Sequence, residues 1–115
     1  MSAAKAKGTR FESAIVDFLR GRGFPHAERR ALNGTKDRGD ITGIPGVVIE
    51  AKSQARHSLA EWLLEAETER INANARIGAV WFKRRGFTSP GRGYVLMDGA
   101  TFTDLLRLAG WGDEA

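Results

Sequence analysis

The sequence contains no cysteine, only two histidines and no long apolar run. Without cysteine the chain forms neither a disulfide nor a thiolate metal site, and a reducing compartment is permitted, so we expect a cytoplasmic protein of prokaryotic or phage origin. The two histidines, His26 and His57, argue against a histidine-rich zinc site, and we expect both at the surface. No segment approaches the ~20 apolar residues of a membrane span, so no membrane partner is expected.

Positive charge is what the sequence has in excess. The chain of 115 residues has room for one domain, and its net charge of +4 favours polyanionic partners. Thirteen of the eighteen basic residues are arginine, which suits phosphate binding but also follows from a GC-rich genome. The basic residues that we expect to contact nucleic acid lie in clusters, at Lys5, Lys7, Arg10, Arg29, Arg30, Lys36, Arg38, Lys83, Arg84, Arg85 and Arg92.

The hydrophobic pattern predicts the order helix, three strands, helix, two strands, helix. We expect a flexible basic leader over residues 1–8 and a single domain over residues 9–115. Helices are predicted to start near Thr9, at Ser58, and at Thr101 or Thr103, and strands to cover residues 24–32, 40–42, 47–53, 77–83 and 94–98. The order predicts an α/β (mixed α+β) fold, with a central mixed sheet of about five strands flanked by helices.

The second predicted helix is the longest, and Ser58 with Glu61 has the spacing of a capping box. Its apolar face is expected to consist of Leu59, Trp62, Leu63, Ala66 and Ala73, with the glutamates largely off that face. Trp62 is interpreted as a core residue or a dimer contact.

Asp40, Glu50 and Lys52 lie on two neighbouring predicted strands, joined by a glycine- and proline-containing hairpin turn. Because strand side chains alternate between faces, Glu50 and Lys52 project away from the face that carries Ile49 and Ala51. Ionisable groups on so apolar a strand are costly to bury unless they have partners. Two carboxylates that share a divalent cation beside a lysine suit metal-assisted phosphodiester cleavage.

With these residues on that topology, the chain resembles the PD-(D/E)xK nuclease superfamily, and within it the small Holliday-junction resolvases of the archaeal type and their phage relatives. The resemblance covers roughly residues 8 to 98 and rests on Gly8-Thr9-Arg10-Phe11-Glu12, Gly23-Phe24, Gly39-Asp40-Ile41 and Ile49-Glu50-Ala51-Lys52-Ser53. Gly39 stands where the superfamily's name has proline. The resemblance implies a restriction-endonuclease-like core and a structure-selective DNA endonuclease that depends on Mg²⁺, with Mn²⁺ as a substitute and no small-molecule cofactor.

The resemblance also implies a set of metal ligands. Asp40 and Glu50 would bind the ion, the backbone carbonyl of Ala51 would add a third oxygen, and Glu12 would approach from the first helix. Each carboxylate has another explanation: Asp40 as a turn cap, Glu50 as a partner of Lys52 in a salt bridge, and Glu12 as part of a capping box that starts at Thr9.

Two further residues on the Glu50 face are candidates for the chemistry. Lys52 would orient or help to deprotonate the attacking water, or neutralise charge on the phosphorane, or only bind phosphate. Burial and a metal would lower its pKa whereas the carboxylates would raise it, and both outcomes stay open. Gln54 shares this face by period two, and we include it among the candidate catalytic residues as a contact to the scissile phosphate or to a metal-bound water.

A resolvase makes two symmetric cuts in a four-way junction, whereas one domain of this size carries one site. The prediction therefore includes a twofold homodimer on branched DNA, with the second helix, the last strand or Trp111 at the interface. Two alternatives remain open: a repair or restriction-type endonuclease that acts on flaps, nicks or duplex, and a non-catalytic nucleic-acid-binding protein on the same fold. A basic RNA-binding protein is a third, which leaves Glu50 and Lys52 unexplained.

Overall fold

The computed structural model describes residues 2–30 and 39–113. Within these ranges the helices are α1 (Ala3–Gly21), α2 (Leu59–Asn72) and α3 (Gly99–Leu108), and the strands are β1 (Glu28–Arg29), β2 (Ile41–Thr42), β3 (Val47–Lys52), β4 (Ile77–Phe82) and β5 (Tyr94–Leu96), with a 3₁₀ turn at Pro90–Arg92. The predicted order of elements and the mixed α/β class are confirmed. None of these helices combines the length and the apolar character needed to cross a membrane.

The five described strands form one mixed sheet in the order β1-β2-β3-β4-β5. Neighbouring strands are antiparallel except for β3 and β4, which are parallel. A parallel pair needs a crossover connection, and α2 supplies it. The predicted hairpin between β2 and β3 is confirmed, with Ile41 opposite Ile49.

The two faces of the sheet are covered by different helices. On one face, the apolar stripe of α1 packs against the β2–β3 hairpin through Phe11, Ile15, Val16, Leu19, Ala27, Ile41 and Ile49. On the other face, α2 packs through Trp62 and Ala66 against Val80 and Phe82 of β4. Because β3 alternates, Ile49 faces α1 while Glu50 and Lys52 face α2, as the period-two pattern predicted.

The first helix begins earlier than the sequence pattern indicated. Ser2 is its N-cap, and the Ser2 Oγ accepts a hydrogen bond from the Lys5 N–H at 3.1 Å. The prediction of a leader before Thr9 is therefore wrong for residues 3–8, because alanine and lysine are strong helix formers once a cap is present. Thr9 lies inside α1 rather than at its start, so the capping-box explanation of Glu12 is wrong as well.

The second helix also differs from its prediction. Ser58 is at the N-cap position but makes no side-chain cap hydrogen bond, and α1 is longer than α2. Leu59 is exposed, whereas Glu69 is buried on the same face as Trp62 and Ala66. The expectation that the glutamates lie off this face is thus wrong for Glu69, because α2 turns that carboxyl toward β3.

The remaining boundaries shift by a few residues. The third helix is capped by Asp98, whose carboxylate accepts from the Thr101 N–H at 2.8 Å, and not by Thr101 or Thr103. Of the predicted strand over residues 24–32, the described part forms a strand at Glu28–Arg29 only, so the prediction is wrong for residues 24–27 and 30. Residues 31–38 lie outside the described residues, and with them the candidate DNA contacts Lys36 and Arg38.

Candidate active site

Asp40 is held against β3 by its main chain and by its side chain. The Asp40 N–H donates to the Ile49 carbonyl at 3.0 Å, and the Ala51 N–H donates to Asp40 Oδ2 at 2.9 Å. Continuing the β2–β3 register by one residue places Asp40 opposite Glu50. The two carboxyl groups that the sequence singled out therefore meet at the start of β2.

Gly39 makes this approach possible. Its φ of +93° lies in the left-handed region, which is strained for residues with a side chain. A Cβ at this position would lie 2.7 Å from Val48 Cγ1 and 3.6 Å from Glu69 Oε2. The chain thus passes close to both β3 and α2 immediately before Asp40, and a side chain at residue 39 would push these elements apart.

Glu50 is a buried acid whose pKa is strongly perturbed. Only 5% of its surface is exposed. Burial, then hydrogen bonds to Asp40 and Glu69, then the charges of these two residues, raise the pKa of Glu50 to about 12. Without a cation Glu50 is therefore protonated at neutral pH, which allows three carboxyl groups to lie together.

The crossover helix contributes two further acids. One carboxylate oxygen from each of Glu50, Glu65 and Glu69 lies within 4.8 Å of the other two. Glu69 is only 1% exposed, and Glu65 is half-buried. Carboxylate oxygens are the donors that Mg²⁺ and Mn²⁺ prefer, so the composition and spacing of this acidic cluster fit a small divalent cation.

Lys52 completes the cluster on the side toward α2. Its Nζ lies 2.8 Å from Glu65 Oε2. Burial lowers the pKa of Lys52, but the hydrogen bond to Glu65 and the neighbouring acids Glu65, Asp40 and Glu50 outweigh burial, so the pKa is raised overall. Since Glu50 is protonated without a cation, Glu65 is the main cause. Of the two outcomes left open by the sequence, the structure favours a cationic Lys52.

Glu12 approaches from the opposite side, on α1. Its Oε1 accepts a hydrogen bond from Arg29 Nε at 3.0 Å. Burial raises the pKa of Glu12, the hydrogen bond from Arg29 lowers it, and the charge of Asp40 raises it, with a net increase. Glu12 therefore interacts electrostatically with Asp40, and Arg29 forms a salt bridge with Glu12.

Gln54 is not brought to the acidic cluster. It is exposed, and it lies in a separate cleft with Lys7 and Lys83. The main-chain N–H of Ala51 donates to Asp40 Oδ2. The Ala51 carbonyl stays a predicted metal ligand.

The other basic residues predicted to contact nucleic acid differ in whether their side chains already contact other protein groups. Arg30 is half-buried and donates to Thr42 Oγ1 at 3.0 Å. The guanidinium of Arg84 lies 4.2 Å from the centroid of the Phe87 ring, and that of Arg92 lies 5.5 Å from it. Lys5, Lys7, Arg10 and Arg85 are exposed and Lys83 is half-buried.

The histidines and the tryptophan of α2 are placed as the sequence suggested. His26 and His57 are exposed, which confirms that prediction. The His57 ring nevertheless contacts Phe82, with 5.0 Å between the ring centroids. Trp62 is a core residue, so its interpretation as a dimer contact is wrong.

Sequence reasoning missed Glu65 and Glu69. A signal for Glu69 was present, because it follows Trp62 and Ala66 at i+7 and i+3 and so shares their buried helical face. Glu65 precedes Glu69 by one helical turn, which places both acids over the same strand. Comparisons of the chain with protein-family models, with curated proteins and with solved structures find no match.

Proposed function

We propose that the protein is a divalent-metal-dependent DNA endonuclease that acts on branched DNA, in the manner of a Holliday-junction resolvase. The observation that supports this best is the meeting of Asp40 and Glu50 beside Lys52 on one face of β3. The resemblance to PD-(D/E)xK nucleases rests on these same three residues. No requirement of the core explains a buried acid and an ammonium on the otherwise apolar strand β3.

Asp40 and Glu50 would hold the ion, with Glu69 and Glu65 beside them and Glu12 and the Ala51 carbonyl as the further predicted donors. A bound Mg²⁺, or Mn²⁺ in its place, supplies Lewis-acid stabilisation of the charge that develops on the phosphate. Glu50 must lose its proton before it can bind a cation, so binding should be tighter at higher pH. Lys52 keeps an ammonium next to this site, where it orients the attacking water and offsets negative charge on the phosphate oxygens.

The substrate is expected to be a polyanion because of the net charge of +4. Basic residues near the carboxyl ends of β3 and β4 include Lys83, Arg84 and Arg85, while the acidic residues of α2 face the metal site or solvent. Such basic residues bind phosphates without contacting the base edges, which suits recognition of DNA shape rather than sequence. The affinity for DNA should therefore fall steeply as the salt concentration rises.

Two symmetric cuts require a second copy of the chain, and an apolar surface at the β5 edge of the sheet is suited to it. None of the side chains of α3 is buried. Large apolar side chains on β5, on α3 and just after it are exposed by 36% (Leu106) to 80% (Trp111); they are Tyr94, Val95, Phe102, Leu105, Leu106, Leu108 and Trp111. Exposed large apolar side chains, and aromatic ones above all, are typical of the surfaces that homodimer interfaces bury. We therefore propose this β5–α3 surface as an isologous homodimer interface.

The proposal is tested by cleavage of labelled four-way junctions, flaps and linear duplexes of matched sequence with Mg²⁺. Paired nicks at symmetric positions of the junction, with little cutting of duplex, are the expected result. Equal cutting of duplex would favour a repair or restriction-type endonuclease. Binding of all three without cleavage in Mg²⁺ or Mn²⁺ would favour a non-catalytic nucleic-acid-binding protein.

A further inference from the structure

A cleft of about 310 Å³ opens next to the carboxyl end of β3, and three cationic side chains from two separate segments line it. Lys7 comes from α1, whereas Lys83 and Arg85 come from the loop after β4. The other lining residues are Ser53, Gln54, Ala55, His57 and Gly86. No carboxylate belongs to this set, so the basic cleft has the charge of an anion-binding site.

No carboxylate of the described residues forms a salt bridge with the cations of the basic cleft. Within residues 2–30 and 39–113 the salt bridges involve Arg29, Lys52 and Arg70, and none involves Lys7, Lys83 or Arg85. The Gln54 amide and the Ser53 hydroxyl add neutral donors at the same place. A phosphate group, with several acceptor oxygens and negative charge, matches this donor set.

The basic cleft borders the candidate active site. The Lys83 N–H donates to the Lys52 carbonyl at 2.9 Å, which ties the loop after β4 to the end of β3. Gln54 follows Lys52 by two residues, so their Cα atoms are at most ~7 Å apart. Successive phosphates of one DNA strand advance by about 3.4 Å along the helix axis. The basic cleft therefore lies within one or two nucleotides of a phosphate bound at Lys52.

We propose that the basic cleft binds one backbone phosphate of the DNA strand that is cut, one or two nucleotides from the scissile bond. Its location relative to the cut rests on the proposed nuclease function. Gln54 then contacts the substrate away from the reacting atoms, rather than the scissile phosphate or a metal-bound water. A volume of about 310 Å³ is at the small end of ligand sites and accommodates a phosphate with its sugar rather than a base pair.

The test is DNA binding in EDTA, where cleavage does not interfere, measured by fluorescence anisotropy over a range of NaCl concentrations. The variant with Lys83→Met and Arg85→Met should bind a labelled junction at least tenfold more weakly, and its slope of log K against log[salt] should fall by about one, the value for one lost phosphate contact. The control variant with Arg22→Met and Arg76→Met has the same net charge, and Arg22 is exposed just after the end of α1, far along the helix from Lys7. Arg76 lies just before the opposite end of β4, so the control should keep the wild-type slope.

A scan with single neutral methylphosphonates locates the phosphate. A methylphosphonate at one position, one or two nucleotides from the cut, should weaken DNA binding by the wild type. The same substitution should not weaken binding by the Lys83/Arg85 variant any further. The inference is overturned if that variant keeps the wild-type slope, or if the control loses as much affinity. If the wild type cleaves DNA but its binding does not depend on Lys83 and Arg85, the proposed role of the basic cleft is contradicted and the nuclease function is not. If DNA binding depends on Lys83 and Arg85 but no cleavage occurs, the nuclease function is contradicted and phosphate binding by the basic cleft is supported. A wild type that binds no DNA would contradict both proposals.

Discussion

Lys52 Nζ lies 2.8 Å from Glu65 Oε2, and this contact joins the crossover helix α2 to the strand that carries the candidate site. Glu69, one turn further along α2, contributes a second buried acid that interacts with Glu50. The helix that makes the parallel β3–β4 pair possible is therefore also part of the acidic cluster. The candidate site is built from a hairpin and a crossover, with Glu12 of α1 at its border.

The protonation of Glu50 predicts a characteristic dependence of stability on pH. Burial and the neighbouring acids raise the pKa of Glu50 from 4.5 to about 12. Above pH 4.5 the folded state keeps a proton that the unfolded chain releases, so the free energy of unfolding falls as pH rises, by at most about 1.4 kcal/mol per pH unit from this residue. Glu50→Gln, which is neutral at every pH, removes this contribution.

Urea denaturation in EDTA at several pH values between 5 and 8 measures this effect. The stability of Glu50→Gln relative to the wild type should increase steadily with pH. Glu61→Gln, at an exposed position on α2, serves as the control and should follow the wild type. Parallel curves for the wild type and Glu50→Gln would show that Glu50 ionises normally in the fold.

Metal binding should depend on Glu69 and should release a proton. Glu69→Gln removes a buried carboxylate from the cluster, so we expect the affinity for Mg²⁺ or Mn²⁺ to fall by tenfold or more. Glu67→Gln is the matched control, because Glu67 is on the same helix but is exposed and paired with Arg70 at 2.6 Å. Calorimetry in buffers of different ionisation enthalpy measures both the affinity and the protons released near neutral pH. Equal effects of the two substitutions, or binding without proton release, would argue against this site.

Gly39 should be intolerant of a side chain. Gly39→Ala combines a positive φ with a Cβ only 2.7 Å from Val48 Cγ1, and we expect a loss of about 2 kcal/mol or more in the free energy of unfolding. Gly8→Ala is the control, because a Cβ there meets no atom within 4 Å and alanine favours helix α1 by about 0.5–1 kcal/mol. Chemical denaturation of both variants checks the prediction. A Gly39→Ala protein as stable as the wild type would contradict the close approach of residue 39 to β3.

The β5–α3 surface should control the oligomeric state. Leu108→Glu introduces a charge into the proposed interface, and we expect it to convert a wild-type dimer into a monomer. Leu64→Glu, at a side chain of α2 that is 70% exposed, is the control and should leave the dimer intact. Sedimentation velocity at micromolar concentration distinguishes these states. A monomeric wild type, or dissociation by both substitutions, would contradict this interface.

Local periodicity predicted the parts of the site that lie on one element. The alternation along β3 placed Glu50 and Lys52 together because a strand has a fixed period of two. The register of a short hairpin then brought Asp40 opposite Glu50. Both relationships depend on neighbours in sequence, and the structure agrees with both.

The parts that depend on packing between distant elements were not predicted. Whether Glu65 and Glu69 face β3 depends on the rotation of α2 over the sheet. Four glutamates lie between residues 61 and 69, and their spacing alone does not indicate which of them face the sheet. The helix starts at Ser2 and Asp98 were misplaced because several threonines and serines compete as caps at nearby positions. Gln54 has the period of the Glu50 face, but β3 ends at Lys52, so the alternation no longer governs it.

Cleavage of a four-way junction by the wild type and by Asp40→Asn tests the central claim most directly. Asp17→Asn, at an exposed position on α1, is the matched control. With Mg²⁺ we expect the wild type and Asp17→Asn to nick the junction symmetrically, and we expect Asp40→Asn to bind the junction but cut it at least a hundredfold more slowly. Cleavage by Asp40→Asn at the wild-type rate, or a folded wild type that binds the junction and cuts it with neither Mg²⁺ nor Mn²⁺, would contradict the account.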